Sequence, residues 1–529
     1  MDIDGVESAT HLLHRLTSYE PSRGWDDVQD DPRLLRDFVS NDMGRWPLPT
    51  KRYDSTLPRT RLPRELPVTT LPALAVLAGA RDGTGTGTAA GLDLAGLSRI
   101  LHLSAGVVRT AKREWGDFLF RAAGSAGGRF PLELYVAIPD GFDDLPSGVH
   151  WYDPVEHALV QVGSAPRGSG LSVRGSTAAG VGVGVGAGAG AVTVIVTGIP
   201  WRTGWRYRER GFRHVYWDAG TMLSQLLALG DSAGFGPRLY TRFPDGGVSA
   251  LVGADQVHEW PVALVTLGDG APAIYAAGPA VPGEVDSAPL EFPLVTAAQR
   301  AGDMDELGEA WASGAAVEIL SSVPASVDEV IAKRGSQRRM DSSRGLPLET
   351  LRTCMAVALR GISVEHWVAV HDVAGLDSGI YRWPEPGESG EPVRVGSGSR
   401  SCSQAEMRAE LHRVCLGQDL ARDAAFVVIA ATDVSGLSDR EYREAQLAAG
   451  IVEGRIHLAA YALGAGATGM TFYDTEIRAL IGGQGQGVGN APSDGLIFTC
   501  VGVPGNTSKP GGRPGAPTAI RTVSPRKSQ

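Results

Sequence analysis

The sequence contains an internal repeat, which constrains the fold more than any single motif does. Three short motifs recur in the same order with nearly the same spacing: Arg210-Gly211-Phe212-Arg213 and Arg440-Glu441-Tyr442-Arg443, Ala219-Gly220 and Ala449-Gly450, and Phe243-Pro244-Asp245 and Phe472-Tyr473-Asp474. In each copy, an apolar run typical of a strand precedes a segment in which apolar residues have helical spacing. The chain is therefore predicted to hold two α+β units, over roughly residues 70–290 and 325–505.

The composition indicates a globular protein with a large core, because 43% of the 529 residues are hydrophobic and 20% are charged. The net charge of -10 argues against a broad nucleic-acid-binding surface, although it is compatible with local basic patches. The four scattered cysteines form no CxxC pair, which argues against a disulfide framework or a metal site. With an acidic N-terminus that lacks an apolar signal segment, this predicts a cytoplasmic protein.

One stretch, residues 178–198, carries no charge and could mimic a membrane span. Its alternation of Gly with Val or Ala makes a poor helix, so we interpret residues 180–190 as a flexible insertion. Residues 191–197 are predicted to form a buried strand. We therefore expect no membrane association.

A basic segment near the middle of the chain is the strongest candidate binding motif. Arg334, Ser336 and Arg338 alternate, so they point to one side if the segment is extended. Two guanidinium groups and a hydroxyl on one side suit an anion such as a phosphate, or an electron-rich ring edge. The alternative is a solvated run of charges between domains.

A second candidate is a loop of small residues that includes Ser125, Ala126 and Gly127 and leads into a predicted strand over residues 132–138. Small residues at this density allow a ligand to lie flat against backbone N–H groups. The alternative is a tight turn before the strand.

Together these motifs resemble tandem proteins of the nitroreductase fold, and more closely the SagB-type azoline dehydrogenases, including their thiopeptide-associated branch. The resemblance covers most of the chain and rests on motifs in a shared order: His14 to Pro21, Lys51-Arg52-Tyr53, Ser125-Ala126-Gly127 with Pro131 to Tyr135, Trp151 to Pro154, Arg206-Tyr207 through Ala219-Gly220, Arg334-x-Ser336-x-Arg338, and Gly464 to Gly469. It implies two units, each a mixed, mostly antiparallel sheet flanked by helices, that form a pseudo-dimer within one chain. It leaves a homodimer of such chains open.

The resemblance also implies FMN bound between the units. One unit would supply Arg334, Ser336 and Arg338, and the other Ser125, Ala126 and Gly127. The backbone of Ala467-Thr468-Gly469 would approach the edge of the flavin ring. The alternative for this last segment is a glycine turn at the end of a helix.

We expect one flavin per chain, because the two halves depart from the family pattern in complementary ways. In the first half, Arg81-Asp82-Gly83-Thr84 takes the place of the basic segment and puts a carboxylate where a phosphate would sit. In the second half, residues 359–363 are too few to form a loop of the Ser-Ala-Gly kind.

The catalytic pair of the resembled family is Lys-Tyr, and Arg206-Tyr207 stands in its place here. An Arg side chain is always protonated and cannot act as a base. We therefore predict that Tyr207 accepts or relays a proton and that Arg206 lowers its pKa. In the alternatives, Arg206 only positions a substrate carbonyl, or Tyr207 is a core aromatic residue.

The predicted function is oxidation of thiazoline or oxazoline rings to thiazole or oxazole in a ribosomally made peptide. The expected partners are the azoline-containing precursor peptide and a YcaO cyclodehydratase. One alternative is an NAD(P)H-dependent reductase of nitro, quinone or ene groups on the same fold. The other is a scaffold without flavin that binds the precursor peptide or the cyclodehydratase.

The predicted domain order follows from these assignments. Residues 1–66 form a helical and extended arm, 67–300 the first unit with its insertion at 180–190, and 301–508 the second unit. The tail, residues 509–529, is rich in Pro and Gly and is predicted to be disordered.

Overall fold

The computed structural model describes residues 7–24, 27, 29–80, 92–164, 190–274, 280–319, 321–384, 391–395, 403–482 and 493–522. Two predicted features lie outside these residues: Arg81-Asp82-Gly83-Thr84 and all of the insertion at 180–190 except Gly190.

The described helices are α1 (Ala9–Leu16), α2 (Ala73–Leu77), α3 (Leu94–Ala105), α4 (Pro200–Tyr207), α5 (Gly211–Ser232), α6 (Asp245–Val252), α7 (Pro293–Ala301), α8 (Val327–Lys333), α9 (Leu348–Leu359), α10 (Gln404–Val414), α11 (Asp419–Asp423), α12 (Asp439–Ala462) and α13 (Ile477–Gly482). Local sequence explains several of their starts. Ser326 with Glu329 and Ser438 with Glu441 form capping boxes at α8 and α12. In the described part of the chain, no helix is both long and apolar enough to cross a bilayer.

The described strands are β1 (Arg59–Arg61), β2 (Val107–Arg113), β3 (Gly116–Arg121), β4 (Leu132–Ile138), β5 (Gly148–Asp153), β6 (Ala158–Ser164), β7 (Val192–Gly198), β8 (Arg238–Tyr240), β9 (Trp260–Leu267), β10 (Leu346–Pro347), β11 (Glu365–Val370), β12 (Val373–Ala374), β13 (Gly379–Arg382), β14 (Val393–Val395), β15 (Phe426–Thr432), β16 (Gly466–Met470), β17 (Asp494–Gly502) and β18 (Thr518–Ala519).

Two antiparallel sheets have the same strand order. The first is β1-β6-β5-β4-β7-β9-β8, and the second is β14-β13-β11-β15-β17-β16, in which no described strand corresponds to β1. The central strands β7 and β15 are buried on both faces over nearly their whole length, as their continuous apolar sequences predict. The predicted α+β class with two tandem units is confirmed.

Helices α5 and α12 cross where the repeated Ala-Gly pairs meet. A Cβ added to Gly220 would lie 2.4 Å from the backbone nitrogen of Ile451, and one added to Gly450 would lie 2.5 Å from the carbonyl oxygen of Trp217. No side chain fits at these distances, so the two repeated glycines allow the two helix backbones to touch. Both helices are buried over most of their surface, which places the core of the molecule at this crossing.

The other repeated motifs pair between the units. Asp474 of the second unit accepts hydrogen bonds from Arg210 (2.7 Å) and Arg213 (2.6 Å) of the first. Asp245 of the first unit accepts from Arg440 (2.8 Å) and Arg443 (3.2 Å) of the second. Each unit thus supplies a pair of Arg side chains to an aspartate of the other unit, as in the self-complementary interface of a twofold dimer.

The C-terminal tail differs from the prediction of disorder. Strand β18 pairs in parallel with β2, and β2 pairs with β3, so the tail completes a small three-stranded sheet. Gly511 N–H donates to the carbonyl of Ala332 at 2.7 Å, and Ile520 N–H donates to that of Thr110 at 2.8 Å. The Gly and Pro content of the tail predicted disorder, but these backbone hydrogen bonds hold residues 509–522 against the rest of the protein. Residues 523–529 lie outside the described chain.

Candidate active site

A cavity of about 830 Å³ has walls from both units. The first unit contributes the small-residue loop at 123–130 and the hairpin formed by β2 and β3. The second contributes residues 334–338, and the tail contributes residues 506–509 and 519–522. The volume falls within the range of about 300–1,000 Å³ typical of sites for organic ligands.

Arg334 lies at the inner wall of this cavity, at the residue that ends α8, and is only 3% exposed. Its Nε donates to Gln225 Oε1 at 2.7 Å and its Nη2 to the carbonyl of Ala122 at 2.7 Å. Its Nη1 is buried and has no hydrogen-bond partner among the described residues. Burial and the neighbouring Arg109 lower the pKa of Arg334 to about 10, and the opposing effects of Tyr461 and Glu453 are smaller.

The rest of the basic segment continues along the same wall. Ser336 and Arg338 line the cavity, and Arg338 is exposed. Gln337 between them is buried and bonds elsewhere: its backbone N–H donates to Ala467 at 2.9 Å and its Nε2 to the carbonyl of Asn506 at 2.8 Å. The segment therefore presents two guanidinium groups and a hydroxyl to one space.

The small-residue loop forms the facing wall, and Asp218 of α5 holds it in place. Ser125 Oγ donates to Asp218 at 2.5 Å, and the backbone N–H of Ala126 donates to the same carboxylate at 2.9 Å. Ser125 and Gly127 line the cavity. The left-handed backbone of Gly127, with φ of 58°, favours glycine at this turn.

Asp218 is a buried carboxyl group beside the helix crossing, and the partly buried carboxyl group of Glu453 lies near it. Burial raises its pKa to about 7 against the lowering effect of its bonds to Ser125 and Ala126. Burial, with Asp218 as a like charge, raises the pKa of Glu453 on α12 to about 8. Both groups can therefore change protonation state near neutral pH.

Arg206 and Tyr207, the predicted catalytic pair, lie behind Gly127. A Cβ added to Gly127 would be 2.7 Å from both Tyr207 Oη and Arg206 Cδ. Arg206 Nη1 donates to Asn41 Oδ1 at 3.2 Å, and the Tyr207 ring stacks on His214 at 4.0 Å between centroids. The pair lines a separate hollow of about 50 Å³ under residues 16–24 of the arm, rather than the large cavity.

Arg206 lowers the pKa of Tyr207 as predicted, but the net pKa of Tyr207 is raised. Burial raises the pKa of Tyr207, and the guanidinium of Arg206 only partly opposes this. Sequence reasoning considered the neighbouring charge but could not include the burial of the phenol, which favours its neutral form. Tyr207 is therefore a neutral hydroxyl near pH 7.

Ala467, Thr468 and Gly469 belong to strand β16 and do not line the large cavity. They lie beside the basic segment through the bond from Gln337 to Ala467. A Cβ added to Gly469 would be 2.2 Å from Glu453 Oε1, so a glycine is needed where this carboxyl approaches. The glycine turn that ends α12 is at Gly464, with φ of 78°.

Sequence reasoning missed three parts of the site: Asp218, the β2–β3 hairpin and the tail. Asp218 and Asp231 are the two acids of α5, and the signal available for Asp218 was that the equivalent position of the second copy is Ala448. The hairpin faces the cavity with Phe118 and Phe120, whose alternation is the period of a strand. Within the described residues, no group of His, Cys, Asp or Glu side chains has the arrangement of a metal site.

We compared the sequence and the fold with those of known proteins. No protein-family model matches the chain. A protein of Methanocaldococcus jannaschii, provisionally named a nitroreductase, is 28% identical over 177 residues, which cover 34% of this chain and 81% of that protein. A crystal structure of a provisionally named nitroreductase from Anabaena variabilis has a TM-score of 0.65 at 21% identity, covering 94% of this chain and 100% of its own.

Two further solved structures match parts of the chain at low TM-scores. The Escherichia coli microcin synthetase McbBCD complex with truncated pro-MccB17 has a TM-score of 0.28 at 18% identity, covering 46% of this chain and 80% of that one. An FMN-dependent nitroreductase from Clostridium difficile has a TM-score of 0.23 at 15% identity, covering 34% and 89%. From the full-length match, this chain has the nitroreductase-like fold, built as two tandem units around a shared cavity.

Proposed function

We propose that the protein is an FMN-dependent oxidoreductase that binds one FMN in the cavity between its units. The observation that carries this proposal is the unpartnered Nη1 of buried Arg334, on the wall of a cavity shared by the two units. A buried guanidinium without a counter-ion needs an anion, and a phosphate accepts hydrogen bonds from such a group well. Ser336 and the exposed Arg338 extend the same anion site.

The opposite wall fits the flat part of such a cofactor. Gly124, Ser125 and Gly127 present small side chains to the cavity, and Gly124 lies close to the Arg334 guanidinium. Asp218 fixes this loop through Ser125 and Ala126, so the wall is pre-organised. The bound flavin would supply the redox chemistry by accepting a hydride equivalent from the substrate.

The finer proposal is that the substrate is a thiazoline or oxazoline ring in a ribosomally made peptide, oxidised to the aromatic ring. It is supported by the ordered resemblance of the motifs to SagB-type dehydrogenases, including Arg206-Tyr207 in the place of the catalytic pair. The precursor peptide and a YcaO cyclodehydratase would then be partners, and the protein would act in the cytoplasm.

Dehydrogenation also requires a proton acceptor, and Asp218 suits this role better than Tyr207. Tyr207 is already protonated at neutral pH, so it can donate or relay a proton but does not begin as a base. A proton leaving the substrate carbon could pass to Ser125 Oγ, whose own hydrogen passes to the Asp218 carboxylate. The electron pair of the second C–H bond leaves as the hydride, and the new ring double bond forms.

The test is the visible spectrum of the purified protein and its anaerobic response to two reductants. We expect a flavin spectrum that an azoline-containing peptide bleaches and NADPH does not. Bleaching by NADPH alone would support the reductase alternative and overturn the azoline assignment. A colourless protein that takes up no added FMN would overturn the flavin proposal and favour the scaffold alternative.

A further inference from the structure

The large cavity is strongly cationic in an acidic protein. Of the 24 described residues that line it, seven are Arg or Lys and none is Asp or Glu. The whole chain carries a formal net charge of -10. A cleft lined by one sign of charge concentrates ligands of the opposite sign, so this cavity attracts anions although the protein as a whole does not.

Three of these cations are already held by the protein. Arg334 bonds Gln225 and Ala122, Arg109 donates to the carbonyl of Lys509 at 2.8 Å, and Arg121 donates to that of Ala105 at 3.0 Å. These bonds fix the guanidinium groups in place but supply no negative charge.

The other four cations are not engaged. Within the described part of the chain, they make no side-chain hydrogen bond or ion pair: Arg113, Arg338, Lys509 and Arg521. Arg113 belongs to the β2–β3 hairpin, whereas Lys509 and Arg521 belong to the tail, which backbone bonds hold against β2 and the end of α8. The fold thus holds unneutralised charge at this cavity.

The cofactor neutralises only part of this charge. A phosphate monoester such as that of FMN carries about two negative charges at most, against seven cations in the wall. The hairpin also brings aromatic side chains to the same space, with Phe118 and Phe120 in the wall and Trp115 52% exposed. Aromatic faces beside cations suit a flat, negatively charged molecule.

We propose that the part of the cavity formed by the β2–β3 hairpin and the tail binds a second, anionic ligand beside the cofactor. This inference rests on the proposed function and names the chemistry of the substrate or co-substrate: carboxylate or phosphate groups next to a flat ring. Two sources have that chemistry. One is an azoline peptide with acidic residues beside the ring, and the other is NADPH.

The test is a binding titration of the flavin-loaded, full-length protein, followed by quenching of tryptophan fluorescence. The variant Trp115→Phe shows how much of the quenching comes from the cavity. The probes are an azoline peptide flanked by Glu, the same peptide flanked by Gln, NADPH and NADH. We expect the Glu peptide to bind more tightly than the Gln peptide, or NADPH more tightly than NADH. The preferred pair identifies the source, and the preference should fade between about 0.05 and 0.5 M KCl as screening increases.

The double variant Arg113→Gln/Arg521→Gln should weaken binding of the preferred anion about tenfold, and should weaken binding of the less charged member of the pair, the Gln peptide or NADH, by a smaller factor. The matched control is Arg300→Gln, an exposed cation at the end of α7 that does not line the cavity. Arg113→Lys/Arg521→Lys should retain most of the binding, which separates charge from loss of folding.

If a yellow protein bound the more charged and the less charged member of each probe pair equally and independently of salt, this inference would be overturned and the flavin proposal would stand. A colourless protein would overturn the flavin proposal. The same titrations on that protein would still show whether the cavity prefers anions.

Discussion

The repeat relates two positions in the molecule, and within the described residues they differ in how open they are. At the first, the open site, Arg334 and the loop at Ser125 face each other across the cavity. At the second, the filled site, residues 312–317 pack against the turn that follows α9 and against the end of α2. A Cβ added to Gly361 would lie 2.5 Å from the carbonyl oxygen of Ala312, and Val317 N–H donates to Ala78 at 2.9 Å.

The side chains that α5 and α12 place beneath the two sites also differ. Matching Gly220 with Gly450 places Asp218 opposite Ala448 and Glu453 opposite Leu223. Gln225, which accepts from Arg334, is replaced by Arg455, whose Nη1 donates to the carbonyl of Arg360 at 2.6 Å. Among the described residues, the filled site therefore has no counterpart of Asp218 or Glu453. The repeat supplies the scaffold twice, and substitutions at a few positions make the two sites different.

The largest expected effect is a loss of stability when the reciprocal Arg–Asp contacts, which the two halves share, are removed. Asp474→Ala leaves Arg210 and Arg213 buried without an anion, which should lower the free energy of unfolding by about 3–5 kcal/mol. Asp245→Ala should cost less, because Arg440 and Arg443 are also buried but Arg443 keeps its ion pair with Asp303 at 3.0 Å. Denaturant unfolding measures both, and a larger loss for Asp245→Ala than for Asp474→Ala would contradict this order.

The pH dependence of stability gives a second measurement on the same contact. Burial would raise the pKa of Asp474, but Arg210 and Arg213 lower it to about 2. A depressed carboxyl pKa contributes stability that is present above its unfolded value of about 4 and is lost as the pH falls toward about 2. Thermal unfolding of the wild type should show this loss, and Asp474→Asn should reduce it.

The next effect is a slower reaction when Asp218, the acid at the open site, is replaced. Asp218→Asn should slow flavin bleaching by substrate about 100-fold, because removing a positioned base typically has an effect of at least this size. In the wild type, the rate should rise with pH through about 7, where Asp218 loses its proton, and the variant should lack this rise. An unchanged pH profile would remove Asp218 from the proton path.

A paired substitution separates the open site from the filled one. Arg334→Met should weaken FMN binding about 30-fold, as expected for loss of a charged hydrogen-bond donor. Arg360→Met removes an Arg from the filled site, where its Nε donates to the carbonyl of Leu77 at 3.1 Å, and should leave FMN binding unchanged. Flavin titration of both proteins measures the difference, and equal losses would contradict the assignment.

The smallest effect tests the helix crossing that supports both sites. Gly220→Ala should destabilise the protein by about 1–3 kcal/mol, because its Cβ would meet the backbone of α12. Gly246→Ala is the matched control, since nothing lies within 4 Å of its added Cβ. The control should be neutral or slightly stabilising, and similar melting temperatures for the two variants would place the crossing elsewhere.

The sequence was sufficient for the fold because the signals were local and repeated. Strand runs such as residues 192–196 and 426–430 and the paired Ala-Gly motifs appear in the same order in both halves. The repeat could not reveal that Arg210 bonds Asp474 rather than Asp245, because pairing within a unit and between units gives the same sequence.

The site was less accessible to sequence reasoning, for physical reasons that differ between residues. The basic segment and the small-residue loop have distinctive compositions, so both could be named. The tail has the composition of a disordered segment, and hydrogen bonds that its sequence does not announce, including those to Ala332 and Thr110, hold it at the cavity. The raised pKa values of Tyr207 and Asp218 depend on burial, which a sequence position does not specify.

The most direct test of this account is the molar ratio of FMN to polypeptide in the fully loaded, gel-filtered protein. One open site and one filled site predict a ratio of one. A ratio of two would show that the second site also accepts flavin, and a ratio of zero after incubation with excess FMN would contradict the assignment of the cavity.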